Sequence, residues 1–429
     1  MIRGSRLSRE TGDASSSPEP WRSDVAVPAM DPFLVAMPLL GSLLTLQLGA
    51  VGAALVLFSA FPIAWLRWQR LGNTINHGWP VLLLGFFTLA SIFWSIDPGA
   101  TARYGLQYFL TIVPAVLLAT LLSRHSLLTG LFWSFAIYNA AALAFGRYVP
   151  LGVSDIAFAG IAGSKNMAAQ VAGIGALIGL AMVGRSIVER QFFALVSAIA
   201  SILISCVLLL LAKSTGAIVG TGIASLVIVA LIVSSAFQSS TRNLFLIILA
   251  TIIVATIASY SLWFNLLFAE IVDATGKEPG LTGRDVLWER ADLLIAKKPF
   301  LGIGYGAFWV PGNLEAEGLW RYFGIETKTG FHFHNTPREI LVSLGYCGLF
   351  MFIAVSVAAL LALIWRTVQR PDATRVLFIG IAVFNMLLIN FELVGFSPIY
   401  FGTILAAITL TLGFAPDRID HRFNDAGLR

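Results

Sequence analysis

Long apolar runs separated by short charged clusters dominate the chain, and they predict membrane-spanning helices. About 20 apolar residues in a helix cross the hydrocarbon core of a bilayer, which is roughly 30 Å thick. Residues 33–66 are almost uninterruptedly apolar and too long for one span, so we predict two short spans that turn near residues 49–52. Further apolar segments follow at 79–96, 105–122, 126–146, 166–184, 192–212, 214–234, 243–264, 337–365, 374–392 and 396–414. The pattern predicts an all-α integral membrane protein with about 12 transmembrane helices.

The positions of Lys and Arg predict which side of the membrane each connection faces. With the N-terminus inside, 16 of the 28 Lys and Arg residues fall on the inner side, and four fall in short outer connections. Short cytoplasmic loops of membrane proteins are enriched in positive charge. We therefore predict that both termini lie in the cytoplasm.

One predicted connection is much longer than the others. Residues 265–336 carry 16 charged side chains and follow the ninth span, on the periplasmic side. Thr282 and Asp285 resemble a capping box, and apolar residues then recur on one helical face as far as Pro299, which predicts an amphipathic helix. The apolar residues are Leu287, Trp288, Ala291, Leu294 and Ile295. The predicted organisation is a disordered cytoplasmic tail (1–31), helices 1–9 (32–264), the periplasmic loop (265–336), helices 10–12 (337–414) and a cytoplasmic tail (415–429).

Composition narrows the possible functions. The chain is 57% hydrophobic and 12% charged, about half the charged fraction of a globular chain, which excludes a soluble enzyme. The net charge of +5 comes from short clusters between apolar runs, which is typical of a membrane protein and not of one that binds nucleic acid. Two cysteines far apart, Cys206 and Cys347, support neither a disulfide framework nor a thiolate metal site.

Arg284 and His334 are the candidate catalytic residues of the loop. Arg284 lies in the first turn of the amphipathic helix, where free N–H groups favour an anion, although an interfacial anchor is the alternative. His334 lies just before span ten, whose start is predicted from Pro337 and a second capping box of Thr336 and Glu339. Its imidazole can accept a proton from a hydroxyl near neutral pH.

A zinc site is the alternative interpretation of His334. His332 would be a second ligand, but the remaining histidines map to the cytoplasmic side and cannot provide a third. We therefore predict neither a metal nor a cofactor. The remaining histidines are His77, His125 and His421.

Further polar residues are predicted at the same height as His334. A carboxylate inside an apolar segment is costly and usually faces a cavity, which makes Glu392 informative at the end of span eleven. The others could each be helix-end anchors, but together they predict a cationic pocket for a lipid-linked phosphate. The candidate substrate-binding residues are Lys213, Lys165, Asn166, Arg103, Asn335, Arg338 and Glu392.

Six segments together resemble the O-antigen ligase and polysaccharide polymerase superfamily, and within it the exopolysaccharide polymerases. A glycine-rich run within them looks superficially like a nucleotide loop, but it follows a helix and opens no βαβ unit. The segments are Trp94 to Pro98, Gly163 to Asn166, Gly280 to Trp288, Lys298 to Trp309, His334 with Asn335, and Leu344 to Leu349.

The resemblance implies a GT-C-like, metal-independent glycosyltransferase that moves a glycan from undecaprenyl diphosphate to an acceptor hydroxyl in the periplasm. It also implies that His334 and Arg284 are the essential histidine and loop arginine. A second essential arginine is expected near span eight, where this chain has Lys213 in Lys-Ser-Thr-Gly. The implied partners are the lipid-linked donor, a glycan or lipid A core acceptor, membrane lipids and other polysaccharide assembly proteins.

Two functional alternatives stay open. A flippase or transporter would commonly consist of two six-span repeats with a cytoplasmic central connection, and we see no such repeat. Polymerase and O-antigen ligase use the same donor and differ in the acceptor. The likeness of residues 280–309 favours the polymerase.

Overall fold

The computed structural model describes residues 30–151, 155–235, 237–238, 240–244, 283–328 and 330–415. The predicted ninth span from residue 245, the loop residues 265–282 and nearly all of both predicted tails lie outside the described residues.

Most of the described chain is helical. The first helices are α1 Asp31–Leu43, α2 Thr45–Leu48, α3 Ala50–Phe58, α4 Ala60–Leu66, α5 Leu71–Ala90, α6 Pro98–Leu121, α7 Arg124–Phe145, α8 Lys165–Val188, α9 Phe192–Leu211 and α10 Thr215–Ser235. The helices after the gap are α11 Arg284–Lys297, α12 Leu314–Tyr322, α13 Thr336–Gln369, α14 Ala373–Leu388 and α15 Phe401–Phe414. Two 3₁₀ turns, Trp68–Arg70 and Ser91–Trp94, flank α5.

The apolar helices agree with an all-α membrane protein. Within the described ranges, seven helices are long and apolar enough to cross a membrane, and four shorter apolar helices accompany them. The two predicted spans in 33–66 form α1 to α4, which turn at Gly49, and α1 packs against α3. The count of 12 spans stays a prediction, since the ninth lies outside the described residues.

Several elements differ from the predictions. A short antiparallel hairpin of β1, Arg147–Leu151, and β2, Asp155–Gly160, follows α7, where we predicted no strand. The last predicted span begins at Phe401 and not at residue 396. Span eleven ends at Leu388, so Glu392 lies in the connection to α15 and not inside an apolar helix. Apolar composition alone extended both spans through an irregular segment.

The main core surrounds α8, which packs against α7, α9, α10 and α14. A second apolar cluster joins α11, α12 and the start of α13. In α11 the buried residues are Leu287, Ala291, Leu294 and Ile295, which confirms the predicted amphipathic helix. Since α11 contacts α13, this helix lies on the bundle.

The glycine-rich run at 302–306 fills a break in α13. At Gly345 the backbone leaves the helical region, with φ 64° and ψ −167°. The carbonyls of Val342 and Ser343, which this break leaves free, accept the N–H groups of Ile303 and Gly304 at 2.9 Å each. The run therefore closes a helix break, and it does not form a nucleotide loop.

The other side of the break is closed in the same way. The N–H groups of Tyr346 and Cys347 donate to the carbonyls of Pro299 and Phe300, at 2.7 and 3.1 Å. A Cβ on Gly345 would lie 2.3 Å from the Phe300 carbonyl carbon, so only glycine fits this approach. These four bonds fix the beginning of α13, where the candidate residues lie.

Candidate functional site

His334 lies in a tight turn before α13. Its φ is 50°, in the left-handed region that non-glycine residues rarely adopt. Two bonds hold the preceding residue: the Phe333 N–H donates to Glu339 Oε2 at 2.9 Å, and Trp288 Nε1 donates to the Phe333 carbonyl at 3.0 Å. The His334 N–H donates to Nδ1 of His332 at 3.0 Å. These contacts fix where the His334 imidazole points.

The cap of α13 lies one residue earlier than predicted. Asn335 is the N-cap, and its Oδ1 accepts the Arg338 N–H at 2.9 Å. Thr336 does not cap; its hydroxyl donates to the Glu392 carbonyl and accepts the Val394 N–H, both at 2.8 Å. The predicted Thr336–Glu339 box is therefore wrong, because tertiary contacts occupy both side chains. The Thr336 hydroxyl instead ties α13 to the segment that carries Glu392.

Arg284 is the first residue of α11. The N-cap is Gly283, with φ 79°. The predicted box of Thr282 with Asp285 stays a prediction, because Thr282 lies outside the described residues. The Arg284 guanidinium therefore sits at a helix N-terminus, where the dipole favours an anion. The anion present there is the Glu392 carboxylate.

Glu392 joins the candidate residues into one cluster. Its Oε1 accepts from Arg284 Nη2 at 3.1 Å and from Asn166 Nδ2 at 2.8 Å. Its Oε2 lies 3.4 Å from Nδ1 of His334. We call Arg284, His334, Asn166 and Glu392 the charged cluster. Three separate parts of the chain supply it: the start of α8, the α11–α13 region and the connection from α14 to α15.

The electrostatics of the cluster favour an ionised carboxylate. Burial by itself raises the pKa of Glu392, but the hydrogen bond and charge of His334 and the Arg284 guanidinium outweigh it and lower the pKa. Burial, with the neighbouring His334 and Arg284, lowers the pKa of His332 to about 3. The cluster therefore combines a fixed carboxylate with a neutral His332 near pH 7.

The three possible metal ligands of the site also take part in hydrogen bonds. The ligand atoms of His332, His334 and Glu392 lie within 4.8 Å of one another. However, Nδ1 of His332 already accepts the His334 N–H, and both Glu392 oxygens lie against hydrogen-bonding groups. The Arg284 guanidinium adds positive charge beside the same carboxylate. Glu392 is thus a possible third ligand, which the sequence prediction considered only as a substrate-binding residue. Its hydrogen bonds with Arg284 and Asn166 would compete with a cation.

Three predicted cations lie at the same end of the bundle as the charged cluster. Lys165 begins α8, next to Asn166. Lys213 lies in the turn before α10, whose Gly216 packs near Leu388 at the end of α14. Arg103 donates to the Tyr104 hydroxyl at 2.8 Å and covers that ring.

Two predicted substrate-binding residues have structural partners outside the charged cluster. Arg338 forms a bidentate ion pair with Asp292, at 2.9 and 3.0 Å, and stacks on Trp288. Asn335 is 4% exposed, and its amide is used by the cap and by the Asn390 carbonyl. The structure therefore places neither side chain in the charged cluster.

Sequence reasoning considered His332 only as a metal ligand and missed its contact with the His334 backbone. The His-x-His spacing was the available signal, because a side-chain acceptor can bond the N–H two residues further on. Trp288 was predicted only as a buried face residue, whereas its indole also holds the histidine turn.

The helices and the cluster define a multi-pass membrane protein with a charged site at one end of its bundle. Residues 199–353 match the O-antigen ligase family. The chain is also 28% identical over 344 residues to the exopolysaccharide production protein ExoQ of Rhizobium meliloti (strain 1021), covering 79% of this chain and 77% of that protein. The chain is therefore similar to proteins of the O-antigen ligase and polysaccharide polymerase superfamily, and its apolar helices agree with a multi-pass membrane protein.

Proposed function

We propose that the protein is a membrane glycosyltransferase that polymerises an undecaprenyl-diphosphate-linked glycan on the periplasmic side of the inner membrane. The observation that carries the proposal is the charged cluster, in which a guanidinium, an imidazole and a carboxylate come from distant segments. The Glu392 carboxylate lies 3.1 Å from Arg284 Nη2 and 3.4 Å from His334 Nδ1. The proposed topology places this end of the bundle outside and both termini in the cytoplasm.

Arg284 binds the leaving group in this mechanism. When the bond between the anomeric carbon and the diphosphate breaks, its electron pair passes to a phosphate oxygen, and a preorganised cation stabilises that charge. The Arg284 side chain is 18% exposed, and Glu392 uses one of its terminal nitrogens. The remaining guanidinium donors suit a phosphate, and Lys213 and Lys165 are the proposed additional cations.

His334 acts as the base. The Glu392 carboxylate can only accept, so it favours the tautomer in which Nδ1 carries the proton and Nε2 has the lone pair. Nε2 then takes the proton of the acceptor hydroxyl as its oxygen attacks the anomeric carbon from the face opposite the diphosphate. Asn166 holds the carboxylate from the other side.

The proposed mechanism needs no metal ion. A cationic site can stabilise the diphosphate by itself, and the donor set around Glu392 suits hydrogen bonds better than a cation. The proposed partners are the lipid-linked oligosaccharide donor, the acceptor glycan, membrane lipids and other polysaccharide assembly proteins. No cofactor and no nucleic acid takes part.

An O-antigen ligase is the second candidate. The matching family is described as O-antigen ligase, and in that case the acceptor would be lipid A core. The similarity to ExoQ, named for exopolysaccharide production, favours the polymerase. The charged cluster serves both reactions, because the donor chemistry is the same.

The test uses purified protein in liposomes with undecaprenyl-diphosphate-linked repeat units. We expect His334→Ala and Arg284→Ala each to lower kcat by about 100-fold or more, from a lost base and a lost charge-stabilising donor. The control is Arg290→Ala, in the same helix, which removes a surface ion pair with Glu315 and should leave kcat unchanged. Near-normal kcat in both cluster variants would refute the proposed mechanism.

The acceptor distinguishes the two candidate functions. Lengthening of the lipid-linked glycan when the donor is the only substrate supports the polymerase. Glycan transfer that occurs only after lipid A core is added would replace it with the ligase.

A further inference from the structure

We propose that His332 is a positioning residue, which holds the His334 backbone in the conformation that brings the catalytic imidazole to Glu392. The inference rests on the proposed role of His334 as the base. His332 itself would touch neither the donor nor the acceptor.

The backbone of His334 requires a specific hold. A histidine at φ 50° is strained unless its surroundings fix it, and such strain often occurs at functional sites. The His334 N–H donates to Nδ1 of His332 at 3.0 Å, which closes a turn from residue 332 to residue 334. The two imidazole rings lie with their centroids 4.2 Å apart, so His332 also contacts the His334 ring.

The neighbouring backbone groups have other partners. The Phe333 N–H is bound by Glu339, the Phe333 carbonyl by Trp288, and the Thr336 N–H by the Ile389 carbonyl. These bonds fix residues on each side of His334. Within the described part of the chain, the recorded acceptor for the His334 N–H is the His332 imidazole.

The contact requires a neutral His332. Nδ1 can accept an N–H only while it carries no proton of its own, so the second ring nitrogen, Nε2, holds the hydrogen. The enclosure of His332 and the nearby positive charge of Arg284 disfavour a second proton on this ring. The turn therefore persists throughout the neutral pH range in which a histidine base works.

Three substitutions separate the hydrogen bond from the bulk of the ring. In His332→Asn, the side-chain oxygen can close the same bond to the N–H two residues on, as in an Asx turn. His332→Leu introduces an apolar side chain of moderate size, which has no atom that can accept the His334 N–H. His332→Gln has an acceptor one carbon further from the backbone, which suits this turn less well.

The experiment measures kcat and the KM for the lipid-linked donor with reconstituted protein, per amount of folded protein. We expect His332→Leu to lower kcat by about 10- to 100-fold, because a displaced base loses alignment, with KM nearly unchanged. His332→Asn should keep most of the wild-type kcat. If His332→Leu does not fold, His332→Gln takes its place, and it should lose kcat relative to His332→Asn.

A double variant tests whether His332 acts through His334. Adding His332→Leu to His334→Ala should cause no further loss of kcat, because the positioned base is already absent. The inference about His332 would be overturned if His332→Leu had wild-type kcat, or if His332→Asn lost as much kcat as His332→Leu. In either case an inactive His334→Ala would still support the proposed function. A fully active His334→Ala would instead overturn the proposed function.

Discussion

The clearest test of the charged cluster is Glu392→Gln. This change keeps the size of the side chain and removes its charge. The glutamine oxygen can still accept from Asn166 or Arg284, but its NH₂ group would face the Nδ1–H of His334. To avoid two opposed donors, the imidazole must move its proton to Nε2, which is the atom that should accept the proton of the hydroxyl.

The expected magnitude follows from these contacts. A general base contributes about 100- to 10,000-fold to a rate, so Glu392→Gln should lower kcat by about 100-fold, or about 3 kcal/mol. The loss of stability should be much smaller. The Arg284 and Glu392 side chains are 18% and 12% exposed, but the glutamine keeps the size of the side chain and its oxygen can still accept from Arg284.

The assay combines single-turnover transfer with thermal unfolding of the purified protein. Glu315→Gln is the matched control, because Glu315 pairs with an arginine of α11 away from the cluster. We expect normal kcat in Glu315→Gln and a small change in unfolding temperature in both variants. A Glu392→Gln protein with wild-type kcat, or one that loses only donor affinity, would refute the role of the carboxylate in orienting His334.

Two further predictions concern stability. Gly345→Ala should destabilise the fold by about 1–3 kcal/mol through overpacking, because the new Cβ would meet the Phe300 backbone at 2.3 Å. Gly324→Ala is the control, because Gly324 has nearly the same φ, 65°, but no atom within 4 Å of where a Cβ would lie. The difference between the two variants in denaturant unfolding should therefore show the effect of the close contact. The second prediction concerns pH. The pKa of His332 is about 3 in the fold and about 6.5 in an unfolded chain, so between these values the unfolded chain binds the extra proton. Stability should therefore rise with pH across this window and level off above it. Unfolding temperatures measured from pH 4 to 7.5 should rise less steeply with pH in His332→Asn than in the wild type. An unchanged slope would show that His332 is not the source of the pH dependence.

The sequence could predict the helices because their signal is local. Each described span other than those near residues 389–400 was recognisable from its apolar run, and the face of α11 followed from its spacing. The irregular segment that carries Glu392 has the same apolar composition as a helix, so composition placed that residue inside a span. The β-hairpin was missed for a similar reason, since a short apolar segment between spans gives little indication of strand pairing.

The caps show where local rules failed. The predicted box at the start of α13 used residues of the expected type, but Thr336 bonds to the segment around Glu392. Tertiary partners thus replaced the local ones. Arg338 pairs with Asp292 of α11, a contact between distant segments that the sequence could not show, and its role in substrate binding stays a prediction.

The apolar runs of the sequence were enough to predict a helical membrane protein, and Arg284, His334 and Glu392 stood out as unusual for their surroundings. Hydrophobic burial depends on the type of each side chain, so the spacing of apolar residues is visible along the chain, and so are the charged residues that interrupt it. The tertiary structure decided that Glu392 joins Arg284 to His334, that His332 supports the His334 turn, and that Arg338 pairs elsewhere. Hydrogen bonds depend on distance and direction between segments more than 50 residues apart, and only the packed helices set those distances.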